Sequence, residues 1–323
     1  METRTLGKTD LKVTRLSMGT MTFGGQVAES DAVRMVDRCL EEGINFFDTA
    51  NVYNNGLSES ILGRALKGRR HNVVLASKVR GKMGDEPDDA GLTRPAIRKA
   101  IEASLKRLQS DYLDLYYLHQ PDWNTKIEET LVAMDELVRD GKIRYVATSN
   151  YSSWQIVQML WTADNHGYSP PTVSQPMYNL LARGIEQEYL ACCKEFGVAV
   201  VPYNPLAGGL LTGKHKPQEP PTPGTRFDGN KMYQDRYWNA DYFSAVEEVA
   251  AIAQRAGMFM VELAFRWLLS QPVVDSVILG ATRLEQLEEN FKACEGPPLS
   301  EDVLKECDAV WERLKGVVPK YNR

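Results

Sequence analysis

Asp48, Tyr53, Lys78 and His119 are residue types that can together place a proton on a polarised oxygen. Tyrosine titrates near ~10, so it works as an acid near neutrality only where a neighbouring cation favours its phenolate. Lys78 can be that cation. Asp48 can keep it charged and fixed, and His119 can donate a hydrogen bond that turns a substrate oxygen toward the Tyr53 hydroxyl. A carbonyl held in this way accepts a hydride at carbon and a proton at oxygen. No amino-acid side chain supplies the hydride, so the set calls for a nicotinamide cofactor. Each residue alone also has a plainer reading. Asp48 and Tyr53 can be a turn aspartate and a surface tyrosine, the lysine ending "VVLASK" a solvated strand terminus, and the histidine of "YYLHQPD" a structural one.

Their places in the chain decide between these readings. Apolar, strand-like runs at Leu16–Gly19, Ile44–Phe47, Val73–Ser77, Leu113–Leu118, Tyr145–Ser149, Thr172–Gln175, Val198–Tyr203 and Ser276–Gly280 alternate with amphipathic helical stretches. Thr125 to Glu128 predicts a capping box ahead of a helix with Ile127, Leu131, Met134 and Val138 on one face and Gly141 as its stop. Ser152 to Gln155 opens the next helix in the same way. Ile97, Ile101, Leu105 and Leu108 form the stripe of another after Thr93. Ahead of the first run, "TRTLGKTDLKVTRL" alternates about Gly7 to Asp10 as a β-hairpin. Strict alternation of strand and helix implies parallel strands with right-handed crossovers, and eight such units predict an α/β protein of the (β/α)8 TIM-barrel type. A doubly wound open sheet is the alternative. In a barrel, chemistry gathers at the C-terminal strand ends. Those ends read Asp48, Lys78, His119, Ser149-Asn150, Gln175, Tyr203-Asn204 and Gly280. Asp48 and Lys78 are 30 residues apart, as are His119 and Ser149, which is the repeat of successive strand–helix units.

Composition excludes several other classes. The 323 residues suffice for one large barrel, and the expectation is a single domain over 1–323. A net charge of −5, with no basic stripe interleaved with aromatics, argues against a nucleic-acid partner. The N-terminal decapeptide has no apolar core for a signal peptide, and no run approaches the ~18 apolar residues of a membrane span. Five cysteines without C-x-x-C spacing fit free thiols in a cytoplasmic protein and supply no metal site. "LGKTD" lacks the glycine that a phosphate-binding loop needs, since Glu2 stands there, and no G-x-G-x-x-G occurs.

With these residues in view, the chain resembles the aldo-keto reductase family along essentially its whole length. "RLSMGTMTFGG" is similar to the family's opening, and "NFFDTANVYNNGLSE" to its D-T-A-x-x-Y-x-x-G-x-S/A-E signature with Asp48, Tyr53 and a supporting Glu59. "LASK" and "DYLDLYYLHQPD" match the strands carrying the lysine and the histidine. The resemblance implies an NADP-dependent reductase of an aldehyde or ketone with Asp48, Tyr53, Lys78 and His119 as its tetrad. It places Gly19, Thr20, Met21, Asp48, Ser149, Asn150, Gln175 and Tyr203 at the nicotinamide end. "YNPLAGGLLTGK" would follow the pyrophosphate through Asn204, Pro205, Leu206, Gly208, Leu210 and Lys214, with Arg226 beyond. "GATRLEQLEEN" would surround the adenosine with Gly280, Thr282, Arg283, Gln286, Glu289 and Asn290. Asn204 stands where serine is commoner. Gly280 and Gln286 stand where the vertebrate carbonyl-reducing branch carries lysine and arginine, so the resemblance is to the bacterial, plant and potassium-channel β-subunit branch. A capping box at Thr282 to Glu285, with Arg283, Lys214 and Arg226, would still form an anion site favouring NADP over NAD.

The pocket is expected to draw on aromatics. Phe23, Trp123, Tyr151 and Trp154 follow strand ends, and Phe227, Tyr233, Tyr237 and Trp238 lie in a long proline- and glycine-rich loop after strand 7, from Thr212 to Ala240. Phe23 and Trp123, with Tyr53 and His119, are the candidates for substrate contact; the same aromatics can instead be core or anchoring residues. Two alternatives are weighed: a redox-sensing auxiliary subunit with the same fold and tetrad but little turnover, and a Schiff-base barrel using Lys78 as nucleophile. The first usually carries a segment ahead of the hairpin, which here begins within a few residues of Met1. The second needs a neutral lysine, which Asp48 opposes. No heptad or internal repeat indicates an oligomeric state.

Overall fold

A computed structural model describes residues 2–318. Strands β1 (Thr3–Thr5) and β2 (Lys12–Thr14) pair antiparallel, with Thr3 opposite Thr14, as the expected hairpin. Eight strands then lie parallel in one sheet: β3 (Leu16–Gly19), β4 (Phe46–Asp48), β5 (Val74–Val79), β6 (Leu113–Leu118), β7 (Ile143–Ser149), β8 (Pro171–Gln175), β9 (Ala199–Val200) and β10 (Val277–Leu279). The order is β10-β3-β4-β5-β6-β7-β8-β9. Asp275 N donates to Val200 O at 2.9 Å and Ile278 N to Pro202 O at 3.2 Å, tying the two ends of the sheet together. The sheet therefore curls into the (β/α)8 arrangement and is not an open doubly wound sheet. β9 is shorter than the expected Val198–Tyr203 because Pro202 has no N–H for the ladder.

Around the sheet run α1 (Glu29–Glu41), α2 (Leu57–Ala65), α3 (Arg94–Leu108), α4 (Ile127–Arg139), α5 (Ser153–His166) and α6 (Tyr189–Phe196). The segment after β9 holds α7 (Lys231–Tyr237), α8 (Ala240–Arg255) and α9 (Met260–Ser270), and α10 (Leu284–Ala293) and α11 (Glu301–Lys315) follow β10. Thr93 accepts from Ala96 N to start α3, whose Ile97, Ile101, Leu105 and Leu108 are all buried. Ser152 and Gln155 form the expected capping box of α5. The box expected at Thr125 does not form. Asp122 draws the Thr125 hydroxyl to its own carboxylate at 2.8 Å, and α4 starts after Lys126 without a side-chain cap.

Two apolar layers follow from the two faces of each strand. Leu75, Tyr116, Leu118 and Val146 face the helices. Phe46, Val74, Leu115, Tyr117, Ala147 and Val173 fill the interior, joined there by Leu6, Leu11 and Val13 of the hairpin. The hairpin packs at the start of β9, where a Cβ on Gly7 would lie 2.8 Å from Gly197 O and 2.9 Å from Ala199 N. It plugs the N-terminal end of the barrel and leaves the other end open.

Gly63 of α2 sits so close to α3 that a Cβ there would lie 2.5 Å from the Leu108 carbonyl carbon and oxygen. Backbone cannot yield as a flexible side chain can, so Gly63→Ala is expected to cost about 1–3 kcal/mol. A thermal melt checks this; an unchanged Tm would mean that α2 and α3 separate freely.

Candidate active site

A cavity of about 500 Å³ opens at the C-terminal strand ends. Every barrel strand reaches its wall: Gly19, Asp48, Arg80, His119, Ser149, Gln175, Tyr203 and Gly280 come from β3 to β10 or the residues just beyond them. Parallel strands in register present the same end to one side, which is why residues so distant in the chain meet.

Asp48 ends β4, and register places Ala76 of β5 opposite it, so Lys78 lies farther along the neighbouring strand. The Lys78 ammonium donates to Asp48 Oδ1, to Thr49 O at 2.8 Å and to the Tyr53 hydroxyl at 3.4 Å. Gln175 Nε2 donates to the other Asp48 oxygen at 2.8 Å. Asp48 and Lys78 are both buried, so each needs the other. Beneath them Glu59, wholly buried, accepts from Ser77 and from Arg107 Nε at 2.6 Å.

The loop "YNNG" sets Tyr53. Asn54 and Asn55 have φ of 48° and 54°, a left-handed conformation asparagine tolerates better than most residues. Asn54 Nδ2 donates to Met21 O at 3.0 Å and Phe23 O at 2.8 Å, pinning this loop to the one after β3. The half-buried Tyr53 and His119 rings meet edge to face with centroids 5.9 Å apart.

Burial carries the Tyr53 hydroxyl above its ordinary value, although Lys78 pulls it down. Lys78 was expected to lower it; in the structure desolvation outweighs that pull, and the group is protonated throughout the neutral range. For Lys78 the balance runs the other way. Burial disfavours the ammonium, but Asp48, and then Tyr53, raise it above the usual lysine value. A Schiff-base role needing neutral Lys78 is opposed by this pairing. Burial, with the Lys78 and Arg80 charges, pushes His119 down to about 3, so its imidazole is neutral and offers a single N–H.

A polar chain continues along the wall. Ser149 Oγ donates to Gln175 O at 2.8 Å, Asn150 Nδ2 to His119 O at 2.9 Å, and the Tyr203 hydroxyl to Asn150 Oδ1 at 2.8 Å. Asn204, at φ 66°, takes the Gly208 N–H at 2.6 Å and donates to the Tyr237 hydroxyl at 2.8 Å. Asparagine both tolerates that backbone and locks the following turn, which accounts for its presence in place of serine. Met21, Pro205, Leu206, Lys214, Arg226, Thr282 and Gln286 also line the cavity. A Cβ on Gly280 would meet nothing within 4 Å, so this glycine leaves open space at the wall for a ligand.

Other expected contacts lie off the wall. Phe23 is fully buried in the core, and Leu210 is 1% exposed there. Thr20 bonds Asp48 O at 3.1 Å and Ser58 at 2.8 Å. Trp123 is 75% exposed in the loop after β6. Asn290 supports the Gly280 carbonyl at 3.2 Å, while Arg283 and Glu289 are exposed at the start and middle of α10. The Thr282 capping box does not form either. Gln286 Oε1 takes both the Thr282 N–H and its hydroxyl, so α10 begins at Leu284, after an extended Arg283, with no side-chain cap. Of the aromatics in the loop after β9, Tyr233 reaches the cavity, whereas Phe227, Tyr237 and Trp238 pack on one another or on neighbouring rings. Tyr151 is buried and Trp154 exposed. Arg80, Gln120, Met232 and Arg236 line the wall without having been singled out. Arg80 was within reach of the strand-end argument, two residues past Lys78, but Arg236 lies on the short α7, inside a proline- and glycine-rich stretch with no periodicity to place it.

No helix among the described residues is long and apolar enough to cross a membrane. The family model for the Aldo/keto reductase family matches residues 15–312. The chain is 39% identical to a probable voltage-gated potassium channel subunit beta of Arabidopsis thaliana, covering 93% of each chain. It is 37% identical to aflatoxin B1 aldehyde reductase member 2 of Mus musculus over 95% of this chain and 87% of that one. Identity to the uncharacterized oxidoreductase YrpG of Bacillus subtilis is 36% over 99% of each. The barrel, the strand-end residues and these matches agree: the chain belongs to the aldo/keto reductase family.

Proposed function

We propose that the protein reduces an aldehyde or ketone to the alcohol, with NADPH preferred over NADH. The observation that carries this reading is the Tyr53 hydroxyl 3.4 Å from a buried ammonium that Asp48 keeps charged, beside a neutral His119. Tyr53 donates the proton to the carbonyl oxygen, His119 orients that oxygen through its N–H, and Lys78 stabilises the phenolate left behind. A bound nicotinamide dinucleotide supplies the hydride. Ser149, Asn150, Gln175 and Tyr203 would hold its nicotinamide end, and Lys214 and Arg226 its phosphates. The open space at Gly280 suits a group of this kind. A panel of aldehydes and ketones followed by NADPH absorbance, with NADH alongside, tests the reading. The name of the Arabidopsis relative raises the auxiliary-subunit alternative, which predicts cofactor binding with no turnover on any member of the panel.

Preference for the 2′-phosphate is assigned to Arg283 and the uncapped first turn of α10. Burial, together with the Arg283 charge, lowers the Lys214 ammonium, which places the two cations within each other's field. Arg283→Ala is expected to weaken NADPH binding on the order of 10-fold, the lower end for a charge-assisted contact because the side chain is exposed and screened. NADH binding should change far less. Fluorescence titration of both cofactors decides it; equal losses, or none, would remove Arg283 from phosphate recognition.

A further inference from the structure

We propose that Arg80 selects carbonyl substrates that carry a carboxylate. The proposal rests on the reductase reading and adds a substrate class to it. Arg80 stands one residue past β5, on the cavity wall. Its φ is 127°, a conformation that side-chain-bearing residues rarely adopt, and Gly91 N donates to its carbonyl at 2.9 Å, holding the loop in that shape. Backbone strain of this kind persists where the surroundings impose it, and it clusters at ligand sites.

Among the described residues Arg80 makes no ion pair, and its Nε is buried with no hydrogen-bond partner. Its charge reaches His119, Tyr151 and Asp122. Asp122 is already engaged by Leu92 N at 2.8 Å, Asn124 N at 3.1 Å and the Thr125 hydroxyl at 2.8 Å. Among the described residues Asp48 is the one acid on the cavity wall, and Lys78 and Gln175 occupy both its oxygens. The buried Nε has no acceptor among the described residues, and the side chain lines the cavity, where a bound acceptor would meet it.

Among the described residues three further cations line the cavity without ion pairs, but they are placed differently. Lys214 and Arg226 belong to the segment after β9, where the dinucleotide phosphates are assigned. Arg236 lies against Tyr233, 5.5 Å from its ring centroid, and beside the Tyr203 hydroxyl. Arg80 sits two residues past Lys78, and its charge reaches His119, where the reacting carbonyl has to lie. A planar guanidinium matches a carboxylate in shape and in charge, one for one. Without that partner, a substrate leaves the Arg80 donors unmet, so discrimination works by penalty as well as by attraction.

The test compares ω-oxo carboxylic acids of four to six carbons with their methyl esters, as kcat/KM in wild type, Arg80→Met and Arg80→Lys. The acid should be favoured over its ester for at least one chain length. The acid-to-ester ratio should fall about 10- to 100-fold in Arg80→Met and be partly restored by lysine. Equal losses for acids and esters, or no preference in wild type, would overturn the proposal. Binding of the corresponding ω-hydroxy acids and hydroxy esters, followed by tryptophan fluorescence, separates this from the reductase reading. If neither aldehyde series is reduced, the reductase reading fails. Tighter binding of the hydroxy acids, lost in Arg80→Met, would still support the carboxylate site, and equal binding of acids and esters would refute it.

Discussion

Tyr53→Phe is expected to cut turnover by roughly 10²–10⁴ while cofactor affinity stays within a few fold, because the change removes one oxygen that donates a proton. The ring remains, so its edge-to-face contact with His119 and the loop set by Asn54 survive. Burial keeps the Tyr53 hydroxyl protonated across the neutral range, so the residue serves as a ready donor in the reductive direction. The reverse reaction needs the phenolate, which depends on Lys78, and should be hit at least as hard. Steady-state rates in both directions, with NADPH binding measured by fluorescence, check this. A well-folded variant that keeps its rate would take Tyr53 out of the mechanism.

Lys78→Met and Asp48→Asn should each lower turnover by roughly 10² or more, and the double variant should be little worse than the poorer single. The two side chains act as one unit: Asp48 holds the ammonium, and the ammonium acts on Tyr53. Removing either breaks the same arrangement, so free-energy losses in contact with each other cannot add. Stability should show a related pattern. Each single change leaves a buried charge or polar group without its partner, a loss of about 3–5 kcal/mol in comparable pairs, whereas the double removes both charges together. The double variant should therefore melt at or above the lower of the two singles. Strictly additive losses in activity and in Tm would show that Lys78 and Asp48 work separately.

Much of this was legible in the chain. Eight apolar runs separated by amphipathic stretches fix a parallel sheet with helical crossovers, because side-chain period and loop length leave few other ways to bury those faces. Reading only the C-terminal ends of the runs recovered Asp48, His119, Ser149, Gln175 and Tyr203 on one cavity wall, with Lys78 buried behind Asp48, since parallel strands deliver their ends to one side. Local capping was legible where nothing competed, as at Thr93 and Ser152. It failed at Thr125 and Thr282, where Asp122 and Gln286 capture the hydroxyls first. Those are contests between acceptors, settled by distances that spacing along the chain does not encode.

Tertiary structure alone decided which aromatics see the cavity. Phe23 is drawn into the core and Trp123 left in solvent, although both follow strand ends, because loops carry no periodicity to fix a face. It also set the sign at Tyr53, where the sequence names Lys78 as a neighbour but only the packed site shows desolvation outweighing its charge. Arg80 is the clearest case. In the sequence it is one arginine among many; in the fold it is strained and partly buried, its charge reaching His119 and its Nε without a partner among the described residues. Whether a charge has a partner is a property of three-dimensional neighbours, and the order of residues does not contain it.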